Sequence, residues 1–178
     1  MRIWSVGHGT RPIEELIGLL TDAGIRTLAD IRTFPGSRRH PQFGQAALRE
    51  SLATSGIAYA HLRGLGGRRE PLPGSPHTAL RVEAFRGYAD HMTTAEFAHD
   101  LEILEATARE IPTAYMCAET LWWRCHRRML SDLLTVRGWD VEHLLVRGKT
   151  ERHRLWDVAR ARDGRLVYDG GALPLESR

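Results

Sequence analysis

Apolar runs of strand length alternate with helix-spaced segments along the chain, and this alternation constrains its fold more than any other feature. RIWSVGHG is a short β-branched run ending in Gly-His-Gly. RPIEELIGLLTDAG follows, with Ile13, Leu16, Ile17 and Leu20 at helical spacing and a stop at Gly24. IRTLADIR reads as a second strand, QAALRESLATSG as a helix closed by Gly56, and IAYAHLRGLGG as a third strand running into glycines. EAFRGYADHM and TAEFAHDLEILEATARE read as helices, the second with Thr94 as N-cap. PTAYMCAE is a fourth strand and WDVEHLLVRG a fifth, and the tail RLVYDGG is a candidate sixth. Between the fourth and fifth, the segment around WWRCHRR reads as a helix beginning near Leu121 and ending near Gly138. Strands separated by helices predict a single α/β domain over residues 1–178, a mainly parallel, Rossmann-like sheet with helices on both faces. Residues 69–80, rich in proline, are expected to form an irregular loop or lid, and 150–178 to extend the same domain.

In such sheets ligands bind beyond the carboxyl ends of the strands. The expected ends carry Gly7-His8-Gly9, Asp30-Ile31-Arg32, His61-Leu62-Arg63, Cys117-Ala118-Glu119 and Arg147-Gly148-Lys149. A purely structural sheet could end in Asn, Ser and Gly each time. Successive titratable or basic ends therefore point to an active site on one rim.

Charge narrows the partners. The net charge is +3 and the pI about 9.2. Every basic residue except Lys149 is arginine, whose planar fork suits phosphate and base edges. Over residues 32–69, arginines 32, 38, 39, 49, 63, 68 and 69 face one acid, Glu50, whereas residues 96–119 are acidic. A regional basic patch predicts a polyanion partner, with DNA the first expectation. No apolar run approaches the ~20 residues that span a bilayer, so no membrane partner is expected. The opening MRIWSVGHGT lacks the features of a signal peptide, and two cysteines eight apart make no disulfide framework, so the expected compartment is a reducing cytoplasm.

Gly-His near the start, DIRTFPGSRRHPQF, LGG after the third strand, FRGYADHM and MCAE…CHR together resemble the family catalogued as domain of unknown function 488, over about residues 3–150. The resemblance implies a Rossmann-like fold and a setting in nucleic-acid or DNA-repair chemistry. It supplies positions rather than a reaction. The family pattern has Gly-His-Ser where this chain has Gly9, so a hydroxyl is missing unless Thr10 replaces it.

The stretch AYMCAETLWWRCHRRML concentrates the candidate chemistry. A Cys-x5-Arg phosphate loop from Cys117 needs arginine where Trp123 stands, which argues against a phosphatase or rhodanese site. Cys117, Cys125 and His126 are soft-ligand types, but Cys125 and His126 point about 100° apart on a helix, so no metal and no cofactor is expected. Asp30 and Glu119 end strands beside Arg32 and Arg124, where a carboxylate stays ionised and serves as base or electrostatic stabiliser.

The expected function is a nucleic-acid-processing enzyme, a repair-type, glycosylase-like hydrolase acting on a base or base–sugar bond. Glu119, Asp30, His8 and Cys117 are its catalytic candidates. Arg32, Ser37, Arg38, Arg39, Phe43, Arg63, Arg68, Trp122, Arg124, His126 and Arg127 are expected to bind nucleic acid. Aromatic side chains among these arginines, Phe34, Tyr59 and Trp123 included, suit base stacking. Neighbouring Trp122 and Trp123 cannot both face the core, so one is expected buried. The same groups also fit a non-catalytic nucleic-acid or nucleotide sensor. A third reading is a thiol or metal redox protein using Cys117 and Cys125.

Overall fold

Side-chain alternation decides which layer each strand serves. In the computed structural model, which describes residues 1–36, 38–162 and 165–170, β1 (Arg2–Gly7), β2 (Thr27–Asp30), β3 (Ala58–His61), β4 (Thr113–Cys117), β5 (Asp140–Val146) and β6 (Lys149–Arg152) form one sheet in the order β3-β2-β4-β1-β5-β6. All pairs are parallel except the edge pair β5–β6. Val6, Leu28, Ala114, Met116 and Leu144 point to one face. They are covered there by α1 (Ile13–Asp22) and α2 (Gln45–Thr54), through Leu16, Leu20, Leu48 and Leu52. Ile3, Ala29, Tyr115, Cys117 and Val141 point to the other. There α3 (Glu83–His91), α4 (Ala95–Glu110) and α5 (Arg127–Val136) bury Tyr88, Phe97, Leu101, Leu104, Met129 and Leu130. Each such leucine, fully withdrawn from water, contributes ~1.5–3 kcal/mol before entropy is counted. The fold is therefore the single α/β domain with a mostly parallel sheet that the alternation predicts.

Local signals place the helix ends. Thr94 caps α4 by accepting a hydrogen bond from the Phe97 amide at 3.3 Å, with Glu96 in the first turn and Arg109 in the last, each matched to the helix dipole. Residues 69–80 contain no helix or strand. Asp90 of α3 ties that segment down, accepting from the Leu72 amide at 2.9 Å and the Ser75 hydroxyl at 2.8 Å.

Two expectations are corrected. The sixth strand of the sheet is β6, Lys149–Arg152, and not the tail. RLVY instead forms β8 (Arg165–Tyr168), which pairs with β7 (Ala159–Arg162) in a separate hairpin. All four residues of β6 are exposed, so no apolar alternation marks it. The helix after β4 does not begin near Leu121. Residues Trp122–Arg124 make a single 3-10 turn, Cys125 is extended, and α5 starts at Arg127. Trp122 is the cause: its ring stacks on His143 of β5 at 4.1 Å, which draws the chain across the sheet before the helix can start. Trp122 is buried and Trp123 exposed, as their adjacency requires.

Gly87 tests the packing of α3. A β-carbon there would run into the backbone of Arg69 and Glu70. Glycine-to-alanine changes inside helices normally stabilise by ~1 kcal/mol. Here the sign reverses, and Gly87→Ala is expected to destabilise by about 1–3 kcal/mol in urea unfolding. A stabilised variant would show that the loop does not pack on α3.

Candidate active site

The chain runs outward from β1 through β2 to β3, returns to insert β4 beside β1, and then adds β5 on the far side. The segment after β1 leads to α1 on one face and the segment after β4 leads to α5 on the other, so the two part and leave a crevice between them. Gly7 pairs with Cys117 across this point. Beyond it the His8 amide donates to the Cys117 carbonyl at 3.1 Å and the Gly9 amide to the Ala118 carbonyl at 3.0 Å. The Ile31 amide donates to the Met116 carbonyl at 2.9 Å. His8, Asp30, Cys117 and the Glu119 backbone thus converge on one rim.

Asp30 is fully buried and fully engaged. Its carboxylate accepts from Arg32 Nε at 2.8 Å, the Arg32 amide at 3.1 Å, Arg32 Nη2, and the Tyr59 hydroxyl at 2.8 Å. Arg32 Nη1 lies 3.3 Å from His8 Nε2. A guanidinium only donates, so Nε2 accepts and the His8 proton sits on Nδ1, which donates to the Gly9 carbonyl at 2.9 Å. The ring stacks on Phe43 at 4.2 Å. Burial, with the Arg32 charge second, pulls the His8 pKa down to about 4. Thr120 supplies what Gly9 lacks: its Oγ1 occupies the place where a residue-9 side chain would begin, while Gly9 holds φ +53°.

On the α5 side the two sulfurs meet. Cys117 faces α5 by strand alternation, and its Sγ lies 2.7 Å from Cys125 Sγ. Arg127, in the first turn of α5, is turned inward and only 1% exposed. Its Nε donates to Cys117 Sγ at 3.1 Å and its amide to Cys125 Sγ at 3.4 Å. The Glu119 amide adds a donor to Cys117 Sγ at 3.3 Å. The remaining guanidinium donors go to Ser5 Oγ and to the carbonyls of Glu119 and Thr120. No carboxylate touches this cation among the described residues. Burial raises both thiols. For Cys125 that effect is outweighed by the Cys117 hydrogen bond and the Arg127 charge, bringing it to about 7, while Cys117 stays well above the ordinary value. With the two sulfurs in contact, their titrations are coupled.

The other candidates divide by burial. Arg38, Arg39, Arg63, Arg68 and Arg124 are exposed on the loops around this rim. Arg63 lies over the Phe34 ring at 5.8 Å, and Phe34 and Trp123 are 64% and 40% exposed. Arg32 and Arg127 instead point inward, drawn by Asp30 and by the sulfurs, and reach no outer phosphate as they stand. Phe43 is buried under His8 and Trp122 under His143, so neither offers a free face to a base. His126 is partly buried beside Cys125, its Nδ1 3.5 Å from Sγ. The Glu119 side chain is exposed, with only a 3.5 Å contact from the Leu121 amide. Ser37 lies outside the described residues. Sequence reasoning missed Tyr59 as a partner of Asp30, and missed Ser5 and His143 altogether. The one readable signal was a polar residue at an apolar beat in each of their strands.

Among the described residues, no group of three or more His, Cys, Asp or Glu side chains is arranged to hold a metal ion. A cavity of about 540 Å³ opens away from the sulfurs, beside β5 and β6, lined by Thr135, Trp139, Asp140, Glu151, Arg152 and His153 among others. The chemistry-bearing groups lie at the rim crevice instead, where donors converge on buried sulfur.

The family model described as domain of unknown function DUF488 matches residues 12–134. No curated protein and no solved structure matches the chain.

The neutral His8 makes stability depend on pH. Unfolded, the imidazole takes up a proton near its ordinary 6.5; folded, it resists until about 4. Its contribution is thus complete above the unfolded value and is lost as pH falls through this window, by up to about 3 kcal/mol. Urea midpoints compared at about pH 7 and about pH 5 should fall less in His8→Gln than in the wild type. Equal losses would mean that His8 is not held neutral.

Proposed function

The chain belongs to the DUF488 family, whose name specifies no reaction, and from its geometry we propose that it is a redox-active dithiol protein whose Cys117–Cys125 pair is oxidised by a small hydroperoxide. The observation that carries this reading is the buried Arg127, in contact with sulfur and with no carboxylate among the described residues. A buried cation without an anionic partner costs several kcal/mol. A thiolate shared by the pair supplies the missing charge, and it is also the form of sulfur that acts as nucleophile.

The two cysteines are 2% and 6% exposed, which favours an oxidant of a few atoms over a bulky disulfide. The Cys125 thiolate attacks one peroxide oxygen and the O–O bond breaks. Sulfur becomes a sulfenic acid, and the departing alkoxide takes a proton from solvent to leave as alcohol. The Cys117 sulfur then attacks Cys125 sulfur, the S–O bond breaks, and hydroxide leaves with the Cys117 proton as water. Two thiols and one hydroperoxide become a disulfide, an alcohol and water. Arg127 steadies the thiolate before attack and lowers the barrier by keeping it available near neutral pH.

A second reading rests on a separate observation, the exposed Arg38, Arg39, Arg63, Arg68 and Arg124 with the open faces of Phe34 and Trp123. These suit phosphate and base stacking, and Glu119, exposed at the same rim, would be the working carboxylate of a base–sugar hydrolase on DNA. Binding without turnover would make the same rim a sensor.

One set of variants separates the readings. Under hydroperoxide the wild type should lose two hydrogens by mass spectrometry. Cys117→Ser should stop at a trappable sulfenic acid, and Cys125→Ser should be inert. If peroxide leaves both thiols free in the wild type, while Glu119→Gln abolishes base release from damaged DNA and leaves salt-sensitive binding intact, the carboxylate reading replaces this one.

A further inference from the structure

A second buried polar chain begins on the other side of the Arg127 guanidinium, and the sulfur chemistry above makes no use of it. Arg127 Nη1 donates to Ser5 Oγ at 3.2 Å. Ser5 Oγ lies 2.9 Å from His143 Nδ1, and His143 Nε2 lies 3.0 Å from His153 Nδ1. His153 Nε2 lies 2.8 Å from Asp132 Oδ1. All five residues are buried. The Trp156 amide and the Tyr168 hydroxyl also donate to the Asp132 carboxylate, at 2.9 and 3.1 Å.

The carboxylate end of this chain fixes its direction, and the guanidinium end agrees with it. A guanidinium can only donate, so Ser5 Oγ accepts from Arg127 and its own proton is free for His143 Nδ1. An ionised carboxylate can only accept, so His153 carries its proton on Nε2. With both rings neutral, His153 Nδ1 must accept from His143 Nε2–H, and His143 Nδ1 from the serine hydroxyl. The resulting order is Arg127 to Ser5 to His143 to His153 to Asp132. Burial above all holds His143 down at about 2, consistent with a neutral ring.

We propose that Ser5, His143, His153 and Asp132 are a positioning relay that holds the Arg127 guanidinium against the Cys117–Cys125 pair. This rests on the thiol reading given above. Without the Asp132 end, neither histidine tautomer is selected, and the serine hydrogen is no longer committed to His143. The fold builds the relay from strand alternation: Ser5 and His143 are register partners on β1 and β5, both facing α5. Asp132 stands on α5 itself, and His153 follows β6 directly. The Trp122 ring stacked on His143 closes the relay from the site loop. Ser5, His143 and His153 lie outside residues 12–134, so three of the four relay residues come from outside the family-matched stretch. Among the described residues, the charged and titratable groups facing the sulfurs and relay include Arg127, Arg128 and Asp132 from α5, His126 ahead of it, Arg11 from the segment before α1, Tyr115 from β4, Tyr88 from α3 and Tyr168 from β8.

Nitrogen-resolved NMR of the histidine rings in the full chain tests the assignment. His143 and His153 should both be neutral at neutral pH with the proton on Nε2; a proton on Nδ1 of either, or a cationic ring, overturns the relay. Alkylation of Cys125 by iodoacetamide tests its effect. Ser5→Ala and His143→Phe should slow the reaction about fivefold at neutral pH and move its midpoint up by about one pH unit. A merely structural role would lower the melting temperature and leave the midpoint in place. Ser5→Ala, the smaller change, carries the test should His143→Phe not fold. A low wild-type midpoint unchanged in the folded variants overturns the relay alone. An ordinary wild-type midpoint removes the thiol reading, and the relay with it.

Discussion

A cation buried at the start of α5 organises the functional end of this molecule. The Arg127 guanidinium has five donors, and its partners are gathered from Cys117 at the end of β4, Ser5 in the middle of β1 and the Glu119 and Thr120 carbonyls in the loop after β4, while its backbone amide reaches Cys125 just ahead of the helix. Removing a charge of that size from water costs more than several neutral hydrogen bonds return. On the reading proposed here the arrangement persists because polarisable sulfur carrying negative charge is at its surface, and Asp132 lies, through Ser5, His143 and His153, at the far end of the same network. The proposed sulfur reactivity and the buried cation are thus one electrostatic problem with one solution.

A second cluster, built on different logic, lies across the crevice. Asp30, Arg32 and Tyr59 neutralise one another by direct contact, and His8 is held neutral against Arg32. That cluster is closed: its lone pairs and protons are committed. It braces the rim on the β2 side while the sulfur pair, less completely satisfied by strong donors, remains the group with chemistry to spare. The exposed arginines and aromatics of the surrounding loops add a surface that attracts anions to this end of the sheet.

The alternation of apolar runs and helical spacings was enough to read the parallel sheet, its two helical layers and the rim where His8, Asp30 and Cys117 meet. The same alternation could not reveal β6, because Lys149–Arg152 is exposed throughout and leaves no apolar beat. Nor could it tell inward arginines from outward ones. Arg32 and Arg38 look alike in the sequence, and so do Arg127 and Arg128: Arg32 is turned inward by Asp30 two residues before it, and Arg127 by Cys117 and Ser5 on other strands, and neither pairing leaves a mark in the local pattern. Trp122 misled for a related reason: a helical reading of WWRCHRR ignores a stacking partner, His143, that only the folded sheet supplies. His143 and Ser5 were legible only as polar residues set in apolar strands, a signal that asks for a partner without naming it.

The central claim is that the buried Arg127 is matched by a thiolate. Thiolate ultraviolet absorbance followed against pH in the reduced protein tests it most directly. One thiolate per chain should appear with a midpoint near 7, from Cys125, and the second should not ionise until well above the ordinary thiol range. Two thiols ionising together at an ordinary value of about 8.5 would contradict the account.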